Sequence, residues 1–456
     1  MRFRMDRRDW LRGAAAAGAS LTVLRDARSA RGYFANEKLG AALVGVSGRG
    51  RWFVETVPRI GEEVVALCDV NQKRAAAAFD KFPDVPKFRD FRTMLAERDQ
   101  QIDAVFVATP DNTHAVIAGA AMRAGKHVYC EKPLTHDVAE ARALREIARE
   151  QGVVTQMGNQ GTATEAFRRA VELIQAGAIG TVREIHVWGG GGTGPRKPPE
   201  GTQPVPEGLD WDLWLGPAAE RPFHAQWLHW HGWRDFATGN AGNWGPHSAN
   251  LPFKAFQIDS LWCADPAVEP RIRVHVAVSE VERFGFPRWA SIRYEIPARG
   301  NLPPIELNHH YGAPEGRERI EEHLGRRLDW GDAGERAWKE HGGCLVVGTA
   351  GMLKSTEHNS SFTLLPEAEF AGFEGPPKTL PRSGSHEREF TAACKGGPKT
   401  MSNFDYAGPL VEFLLLANVA TLFNQTLVFD PLACKVVNHP EADAALRREY
   451  RQGWSL

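Results

Sequence analysis

The chain has 456 residues, which is enough for two or three domains that each bury a core of their own. Its 55 Lys and Arg residues nearly balance 56 Asp and Glu residues, leaving a formal net charge of −1 at pH 7. This balance excludes a general attraction to nucleic acid or to an anionic membrane, so we expect a small-molecule ligand and no nucleic acid.

The first 35 residues differ in composition from the rest of the chain. Arg7 and Arg8 precede an apolar, Ala-rich run over 13–24, which is too short to anchor stably in a bilayer. Small residues over 27–30 offer a cleavage point. This order is typical of a twin-arginine export signal, with a basic amphipathic helix as the alternative. We therefore expect residues 1–35 to be a signal and the mature protein to be periplasmic or extracellular.

Strand and helix patterns alternate through the first third of the chain. The predicted strands are 41–46, 62–70, 102–110, 126–133 and 153–160, and the predicted helices are 52–60, 72–82, 114–125 and 137–152. This alternation predicts an α/β domain with a parallel sheet and helices on both faces. Its ligand crevice should lie at the carboxyl ends of the strands.

A glycine-rich turn and an acid occupy two of these strand ends. The turn over 45–50 follows the first strand and opens a helix, although Ser47 stands where the strict G-x-G-x-x-G pattern has glycine. Asp69 ends the second strand, where a carboxylate binds ribose hydroxyls and repels a 2′-phosphate; a plain loop carboxylate is the alternative. Together they predict a Rossmann domain that binds NAD. The residues assigned to the cofactor on this basis are Gly45, Ser47, Gly48, Arg49, Gly50 and Asp69.

Two charged residues, Glu131 and Lys132, end a buried strand in the motif "CEKPL". Charged side chains in that position usually face a cleft. A lysine beside a carboxylate and a nicotinamide ring can act as an acid, a base or a hydrogen-bond donor to a substrate hydroxyl. An ion pair that only caps the strand is the alternative.

The second half of the chain predicts a mixed domain. A helix, a glycine turn and a strand are expected over 164–190, followed by alternating strands over 271–280, 288–296 and 304–312 and an apolar helix over 408–423. The Gly/Pro-rich loop over 189–208 has a length that is typical of functional or mobile loops.

Several motifs together resemble one known family. "VGVSGRGR", "LCDV", "VATPDNTH", "CEKPL" and "MGNQG" stand in the order and spacing of the Gfo/Idh/MocA family of glucose-fructose oxidoreductase and inositol dehydrogenase. "GWRDFATGNAGNWGPH" and "SNFDYAGPLVEFLLLANVA" resemble its secreted, twin-arginine-bearing branch. The resemblance covers 38–456. It implies a Rossmann NAD-binding domain over 36–162 and a C-terminal α/β domain over 163–456, whose large, open, mostly antiparallel sheet binds substrate and forms a homo-oligomer.

The resemblance also implies the roles of individual residues. An Asp-x-x-x-His pair that moves the hydroxyl proton in many family members corresponds here to Asn243 and His247. Asn243 can orient His247 but cannot stabilise its imidazolium as a carboxylate does, so a simple His/Asp relay is in doubt. The implied catalytic residues are Lys132, Asn243 and His247. The further residues implied for the cofactor are Thr109, Pro110, Asn112, His114, Glu131, Lys132, Asn159 and Gln160, and those for the substrate are Trp233, Arg234, Trp244, His247 and Tyr311.

Other histidines leave alternatives open. His224, His229 and His231 could approach a metal ion, but no carboxylate or further ligand accompanies them and the six Cys residues form no C-x-x-C pair. We therefore predict neither a metal site nor a structural disulfide. His309 and His310 either line a sugar pocket or lie on an ordinary strand.

The function predicted from these features is an NAD-dependent oxidoreductase for a sugar, glycoside or polyol. Because an exported protein has no soluble NAD pool, we expect the cofactor to be tightly bound and recycled. The alternatives are a redox-assisted glycosidase or lyase, a noncatalytic NAD- or sugar-binding protein, and a metal-dependent hydrolase.

Overall fold

The computed structural model describes residues 38–312, 321 and 342–456. The expected export signal over 1–35 lies outside the described residues. Two sheets organise the rest, one in each half of the chain.

The first sheet contains six parallel strands in the order β3-β2-β1-β4-β5-β6. Its strands are β1 (Gly40–Val44), β2 (Glu63–Cys68), β3 (Lys87–Phe88), β4 (Ala104–Val107), β5 (His127–Cys130) and β6 (Thr155–Met157). Between them run α1 (Arg51–Arg59), α2 (Gln72–Lys81), α3 (Phe91–Glu97), α4 (Asp111–Arg123) and α5 (Val138–Gln151).

Helices cover both faces of this sheet. Val105 of β4 joins one hydrophobic cluster, and its neighbour Phe106 joins another that contains Phe53 of α1. Successive residues of a strand point to opposite faces, so both faces are buried, as a doubly wound parallel sheet requires. The predicted Rossmann architecture is confirmed.

The second sheet has nine strands in the order β13-β12-β11-β7-β10-β9-β8-β14-β15. Its strands are β7 (Val182–Gly189), β8 (Ile272–Val278), β9 (Ala290–Ile296), β10 (Ile305–Tyr311), β11 (Gly343–Gly348), β12 (Met352–Thr356), β13 (Phe362–Leu365), β14 (Leu427–Asp430) and β15 (Lys435–Val436). Within this second sheet, β7 and β10 are the only described strands that pair in parallel. This agrees with the predicted C-terminal α/β domain and its mostly antiparallel sheet.

The helices of the second half lie on and between the two sheets. They are α6 (Glu165–Gln175), α7 (Trp211–Leu215), α8 (Gly239–Asn243), α9 (Gly245–Ser248), α10 (Asn250–Ala255), α11 (His386–Cys394), α12 (Phe404–Phe423) and α13 (Pro440–Ala444). By length and hydropathy α12 could cross a membrane, but 83% of its most apolar window is buried inside the protein. It packs between α5 and β8 as a core helix.

Two segments differ from the sequence expectation. The stretch after α2 contains β3 and α3, which are too short for a periodic pattern to reveal. The segment "AGNWGPHSAN" (241–250), whose Gly and Pro residues predict a bend, runs instead through the three short helices α8, α9 and α10, with Trp244 and Ala249 between them. Pro246 fits there because it lies in the first turn of α9, where no intrahelical N–H bond is lost.

Candidate active site

In the glycine turn after β1, neighbouring backbone segments lie too close together for side chains at Gly45 and Gly50. Gly45 has φ +78, and a Cβ there would lie 2.6 Å from the carbonyl oxygen of Ala108. A Cβ on Gly50 would lie only 1.8 Å from the carbonyl oxygen of Gly45. Side chains at either position would push β1, β4 and α1 apart, so glycine is required at both. The turn leads into the first helical amides, which bind phosphate groups well.

Asp69 fixes this turn from the end of β2. Its carboxylate accepts hydrogen bonds from the amides of Val46 (3.1 Å) and Asn71 (2.9 Å). Burial raises the pKa of Asp69, while these bonds and the charge of Arg74 act in the opposite direction. Asp69 and Arg74 both line the cavity described below. The helix-start amides and this carboxylate therefore fit the pyrophosphate and the ribose hydroxyls of NAD.

Glu131 anchors a charged cluster after β5. Its Oε1 accepts from Arg49 Nε (2.8 Å) and from Gln160 Nε2 (2.9 Å). A Cβ on Gly158 would lie 2.7 Å from the carboxyl carbon of Glu131, so the carboxylate packs directly against that glycine. The cluster neutralises the buried carboxylate and connects the glycine turn to the segment after β6.

Lys132 makes the contact that joins the two halves of the site. Its Nζ donates to the backbone oxygen of Asn243 (2.9 Å) and to the Oδ1 of the same residue (2.5 Å). Burial lowers the pKa of Lys132, and the charges of Glu131 and Asp111 partly offset this effect. An ammonium group has three N–H donors, so one is left for a substrate hydroxyl.

His247 lies one helical turn beyond Asn243. Burial lowers the pKa of His247 well below its usual value, and the positive charges of Lys132 and His358 lower it further. Its Nδ1 is buried and has no hydrogen-bond partner among the described residues. The ring is therefore neutral near pH 7 and able to accept a proton.

A cavity of about 360 Å³ runs along the glycine turn, Asp69, Glu131 and Lys132, and His247 is not among the residues that line it. At one end it is lined by Asp69, Arg74 and Phe91, and at the other by Lys132 and Asn243. The described residues contain no cluster of three or more His, Cys, Asp or Glu side chains that could hold a metal ion.

Two family profiles match the chain in order. Residues 39–159 match the GFO_IDH_MocA profile, described as "Oxidoreductase family, NAD-binding Rossmann fold". Residues 191–257 match GFO_IDH_MocA_C2, described as "Oxidoreductase family, C-terminal alpha/beta domain". These two segments, which together make up less than half of the chain, are therefore similar to the Gfo/Idh/MocA oxidoreductase family. NAD is thus the cofactor of its Rossmann domain.

Named relatives match the N-terminal part of the chain. Inositol 2-dehydrogenase of Salmonella typhimurium (strain LT2) is 30% identical over 154 residues, which are 32% of this chain and 45% of that enzyme. Levoglucosan dehydrogenase of Pseudarthrobacter phenanthrenivorans is 34% identical over 116 residues, 25% of this chain and 29% of the relative. The chain therefore matches less than half the length of these relatives.

A solved structure extends the likeness to both domains. The crystal structure of GenD2 from gentamicin A biosynthesis, in complex with NAD, superposes with a TM-score of 0.56 at 19% identity. The match covers 88% of this chain and 98% of GenD2. At that identity the comparison shows a shared two-domain fold.

Most of the residues assigned from the family motifs meet at the cavity. The assigned residues that line it are Gly45, Ser47, Gly48, Arg49, Asp69, Thr109, Pro110, His114, Glu131, Lys132 and Asn243. His114 also holds the turn before α4, since its ring nitrogens lie 2.9 Å from the carbonyl oxygen of Thr109 and 2.8 Å from that of Pro133.

Other assigned cofactor residues lie behind the lining. Gly50 supports the glycine turn, and Gln160 reaches the site through Glu131. Asn112 is buried and donates to the carbonyl oxygen of Leu215 (2.9 Å). Asn159 is also buried, and its Oδ1 accepts from Ser402 Oγ (2.5 Å). These side chains fix the surrounding backbone.

None of the five residues assigned to the substrate lines this cavity, and three of them are packed elsewhere. Trp233 is packed against Trp227 in an aromatic cluster, with its indole N–H bonded to the carbonyl oxygen of Gln226. Arg234 donates to Thr421 Oγ1 (2.9 Å) and lines a separate small cavity. Tyr311 is 2% exposed, and burial raises its pKa. Trp233 and Arg234 are thus held by contacts within the C-terminal domain, and Tyr311 is buried in its sheet.

Trp244 and His247 lie beside a histidine that the sequence motifs did not indicate. The His247 ring centroid is 4.4 Å from that of His358, and the centroid of Trp244 is 6.2 Å from it. Asn243 makes no hydrogen bond to His247 among the described residues. The interpretation that Asn243 orients His247 is therefore wrong for this structure, because its oxygens hold Lys132 instead.

Sequence reasoning also missed an aromatic and a histidine at the cavity. Trp230 and His231 line it and stack with centroids 3.6 Å apart. The sequence pattern indicates His231 only as a candidate metal ligand. Burial and the charge of Lys132 lower the pKa of His231. The dense run of Trp and His over 227–233 was the available signal, but its irregular helical turns carry no periodicity.

Proposed function

We propose that this protein is an exported NAD-dependent oxidoreductase that acts on a sugar, glycoside or polyol and keeps its cofactor bound through a closed redox cycle. The observation that carries the proposal is Lys132, whose ammonium is held by two oxygens of Asn243 at the end of the dinucleotide cavity. Bound NAD would supply the acceptor and donor of hydride.

Lys132 and the side chains around it have different roles in the reaction of a substrate hydroxyl group. Lys132 has one N–H left to bind and polarise the substrate oxygen. His247 is neutral and takes the hydroxyl proton during oxidation or returns it during reduction. Trp244 and Trp230 offer aromatic faces of the kind that suits a sugar ring.

The substrate class rests on the relatives and on these polar and aromatic groups. Two relatives are named for a cyclitol and an anhydrosugar, inositol and levoglucosan. Both present secondary hydroxyl groups on a compact ring. We assign this chain a substrate of the same chemical kind.

The closed redox cycle follows from export. Outside the cytoplasm a released nucleotide would be lost, so each reduction of the cofactor must be reversed within the protein. The segment 448–456 supports retention because it crosses the cavity end near Phe91. Arg451 Nε donates to the carbonyl oxygen of Gly216 (2.6 Å), and Trp454 lines the cavity.

A redox-assisted glycosidase or lyase is the second candidate. It is favoured by two imidazoles near Lys132, those of His231 and His247, whose pKa values are lowered. Oxidation beside a glycosidic carbon acidifies the adjacent C–H, and a neutral imidazole can remove that proton so that the aglycone leaves. Release of a chromogenic aglycone without net formation of oxidised sugar would identify this chemistry.

Assembly into a homo-oligomer through the open nine-stranded sheet is part of the proposal. The family resemblance supports it, and light scattering of the purified protein tests it. A monomer at micromolar concentration would remove this part while leaving the site unaffected.

The decisive experiment for the function is turnover without added nucleotide. Purified protein is incubated with pairs of sugars, glycosides and polyols, and products are identified by mass spectrometry. We expect one compound to be oxidised as another is reduced, or one glycoside to be cleaved, also in the presence of a chelator. Turnover that occurs only with a large excess of added NAD would contradict the closed cycle. Loss of turnover on chelation would favour a metal-dependent hydrolase.

A further inference from the structure

The hairpin between β12 and β13 brings a carboxylate and an imidazole to His247. Its turn is fixed by Asn359, which is fully buried and has φ 54, in the left-handed region. Asn359 Nδ2 donates to the backbone oxygen of His247 (2.6 Å), and Asn359 Oδ1 accepts from Ser355 Oγ (2.9 Å). The hairpin is therefore locked to α9 by a buried side chain.

The backbone around the hairpin allows this close approach. A Cβ on Gly161 would lie 2.1 Å from the carbonyl oxygen of His358, so only glycine fits there. Thr164 Oγ1 donates to the backbone oxygen of Asn359 (2.9 Å). Both contacts fix the position of His358 relative to the segment after β6.

Glu357 and His358 form a pair next to His247. His358 Nδ1 lies 3.1 Å from Glu357 Oε1, and its ring centroid is 4.4 Å from that of His247. The His358 side chain is 46% exposed, whereas His247 is 5% exposed. The half-exposed His358 ring therefore lies next to the buried His247 ring and also reaches solvent.

His247 needs such a neighbour because its own surroundings oppose a positive charge. Burial and the charges of Lys132, His358, Arg49 and His386 all disfavour its imidazolium. No carboxylate is hydrogen-bonded to it among the described residues, and Asn243 is occupied by Lys132. A proton taken from substrate cannot stay on His247.

We propose that Glu357 and His358 are the proton relay of this site, carrying the substrate proton from His247 to solvent in place of the missing acid at position 243. The inference rests on the proposed function.

The proton balance is simple. In oxidation of a secondary alcohol, the O–H bond breaks and its proton forms an N–H bond on His247, while the C–H electron pair leaves as hydride to a nicotinamide oxidant. His247 then gives the proton to His358, where the Glu357 carboxylate stabilises the imidazolium. His358 releases it to water, and both rings return to neutrality. Reduction reverses each step.

The first test uses the resting protein and needs no substrate. Ring NMR signals of His247 are titrated in wild type, His358→Gln and Glu357→Gln. We expect His358→Gln to move the His247 titration to higher pH, because a positive neighbour is lost. Glu357→Gln moves it to lower pH, because the charge on His358 is no longer neutralised. Titration of His247 at the wild-type pH in both variants would overturn the relay.

The second test measures turnover with whichever substrate the wild type accepts. We expect kcat to fall on the order of 10-fold or more in Glu357→Gln and His358→Ala, with KM little changed. Free imidazole should restore His358→Ala, since the vacated position is half-exposed. Glu441→Gln is the matched control, because His439 Nδ1 lies 3.2 Å from Glu441 Oε2 in a His/Glu pair whose imidazole packs against Phe423 instead of His247.

The outcomes separate the relay from the proposed function. Wild-type kcat in both hairpin variants, or a loss that imidazole does not restore, would overturn the relay even if sugar oxidation is established. If no sugar reacts with the wild type, the proposed function fails, and the His247 titration still decides whether the three side chains are coupled.

Discussion

Two oxygens of Asn243 hold the Lys132 ammonium, and this single contact changes how the site works. A carboxamide accepts hydrogen bonds from the ammonium without adding a negative charge. The buried lysine therefore keeps a lowered pKa. A carboxylate in the same place would pair with Lys132 before it could reach His247.

The contact between Lys132 and Asn243 determines the expected effect of Asn243→Asp. The added negative charge raises the pKa of Lys132, so the alkaline limb of the kcat/KM profile moves to higher pH. The measurement is a pH–rate profile of both proteins. Asn424→Asp, which adds the same charge at an exposed helix end, should leave the profile unchanged. An unshifted alkaline limb in Asn243→Asp would argue against titration of Lys132.

Replacement of Lys132 by methionine separates chemistry from binding. Lys132→Met removes the donor to the substrate oxygen but keeps much of the side-chain volume, so we expect a loss of turnover of roughly 10²–10⁴-fold. Nucleotide recovered after denaturation should match the wild type. Unchanged turnover would refute the role of Lys132.

The residues that could be predicted from the sequence share one property. Asp69, Glu131 and Lys132 directly follow strands whose pattern is clear, so the parallel sheet itself brings them together. His358 lies far along the chain, in a short hairpin of the second domain, and meets His247 only through tertiary packing. No local sequence pattern indicates such a contact. From the sequence alone, Asn243 suggests that the proton relay is missing, whereas the proposed relay residues Glu357 and His358 come from the second domain.

At the scale of elements, Glu172 of α6 binds the irregular segment 379–382 through an ion pair and backbone hydrogen bonds. Arg382 donates to both carboxylate oxygens of Glu172, while the amides of Thr379 and Leu380 donate to one of them. These bonds, led by those from Arg382, lower the pKa of Glu172 from 4.5 to about 2. The Glu172 side chain is 2% exposed, so solvent screens the pair little.

The lowered pKa of Glu172 predicts that the protein loses stability as the pH falls. Because the folded pKa lies below the unfolded one, the contribution of Glu172 to stability is complete above pH 4.5 and is lost as the pH falls towards 2. We expect Arg382→Gln to lower the unfolding free energy near pH 7 by roughly 1–3 kcal/mol. Its Tm difference from wild type should narrow between pH 4.5 and 2.

Calorimetry across that pH range measures the Tm of the wild type and of Arg382→Gln. Lys378→Gln is the control, since Lys378 pairs with Glu165 on the surface and its side chain is 62% exposed. A Tm difference for Arg382→Gln that stays constant as the pH falls would contradict the assigned cause.

Elements were predictable where the chain repeats a pattern over many residues. The parallel strands and long helices of the first domain follow hydrophobic periodicity and clear turn signals. The three short helices over 239–255 show no such periodicity, because each is only about one turn long. Their positions depend on packing against β7 and α12.

At the scale of the whole molecule, both halves of the chain and the segment 448–456 enclose one cavity. Arg448 pairs with Asp137 and Glu140 of the first domain, and Arg451 pairs with Asp212 of the second. Trp454 lines the cavity beside Phe91. This segment therefore joins both halves at the mouth of the cofactor site.

Retention of nucleotide should depend on that segment. We expect Trp454→Ala to release bound nucleotide on the order of 10-fold faster, because an apolar wall of the cavity is lost. Nucleotide content is measured after timed dialysis. Phe373→Ala, at a 46% exposed side chain outside the cavity lining, should behave as wild type. If Trp454→Ala retains as much nucleotide as the wild type, the segment 448–456 does not contribute to retention.

Export is the premise of the closed cycle and has its own test. Replacement of both Arg7 and Arg8 by lysine should leave the protein in the cytoplasm, as followed by fractionation of cells. Unchanged export of that variant would contradict the twin-arginine route.

The central claim is hydride transfer between a sugar and retained nucleotide. The most direct measurement follows the absorbance of reduced nicotinamide in purified protein, without added nucleotide, on mixing with sugars, glycosides and polyols. We predict that at least one compound reduces the bound cofactor and that Lys132→Met abolishes the change. Protein that carries the nucleotide but responds to none of these compounds would contradict the account and favour a noncatalytic binding protein.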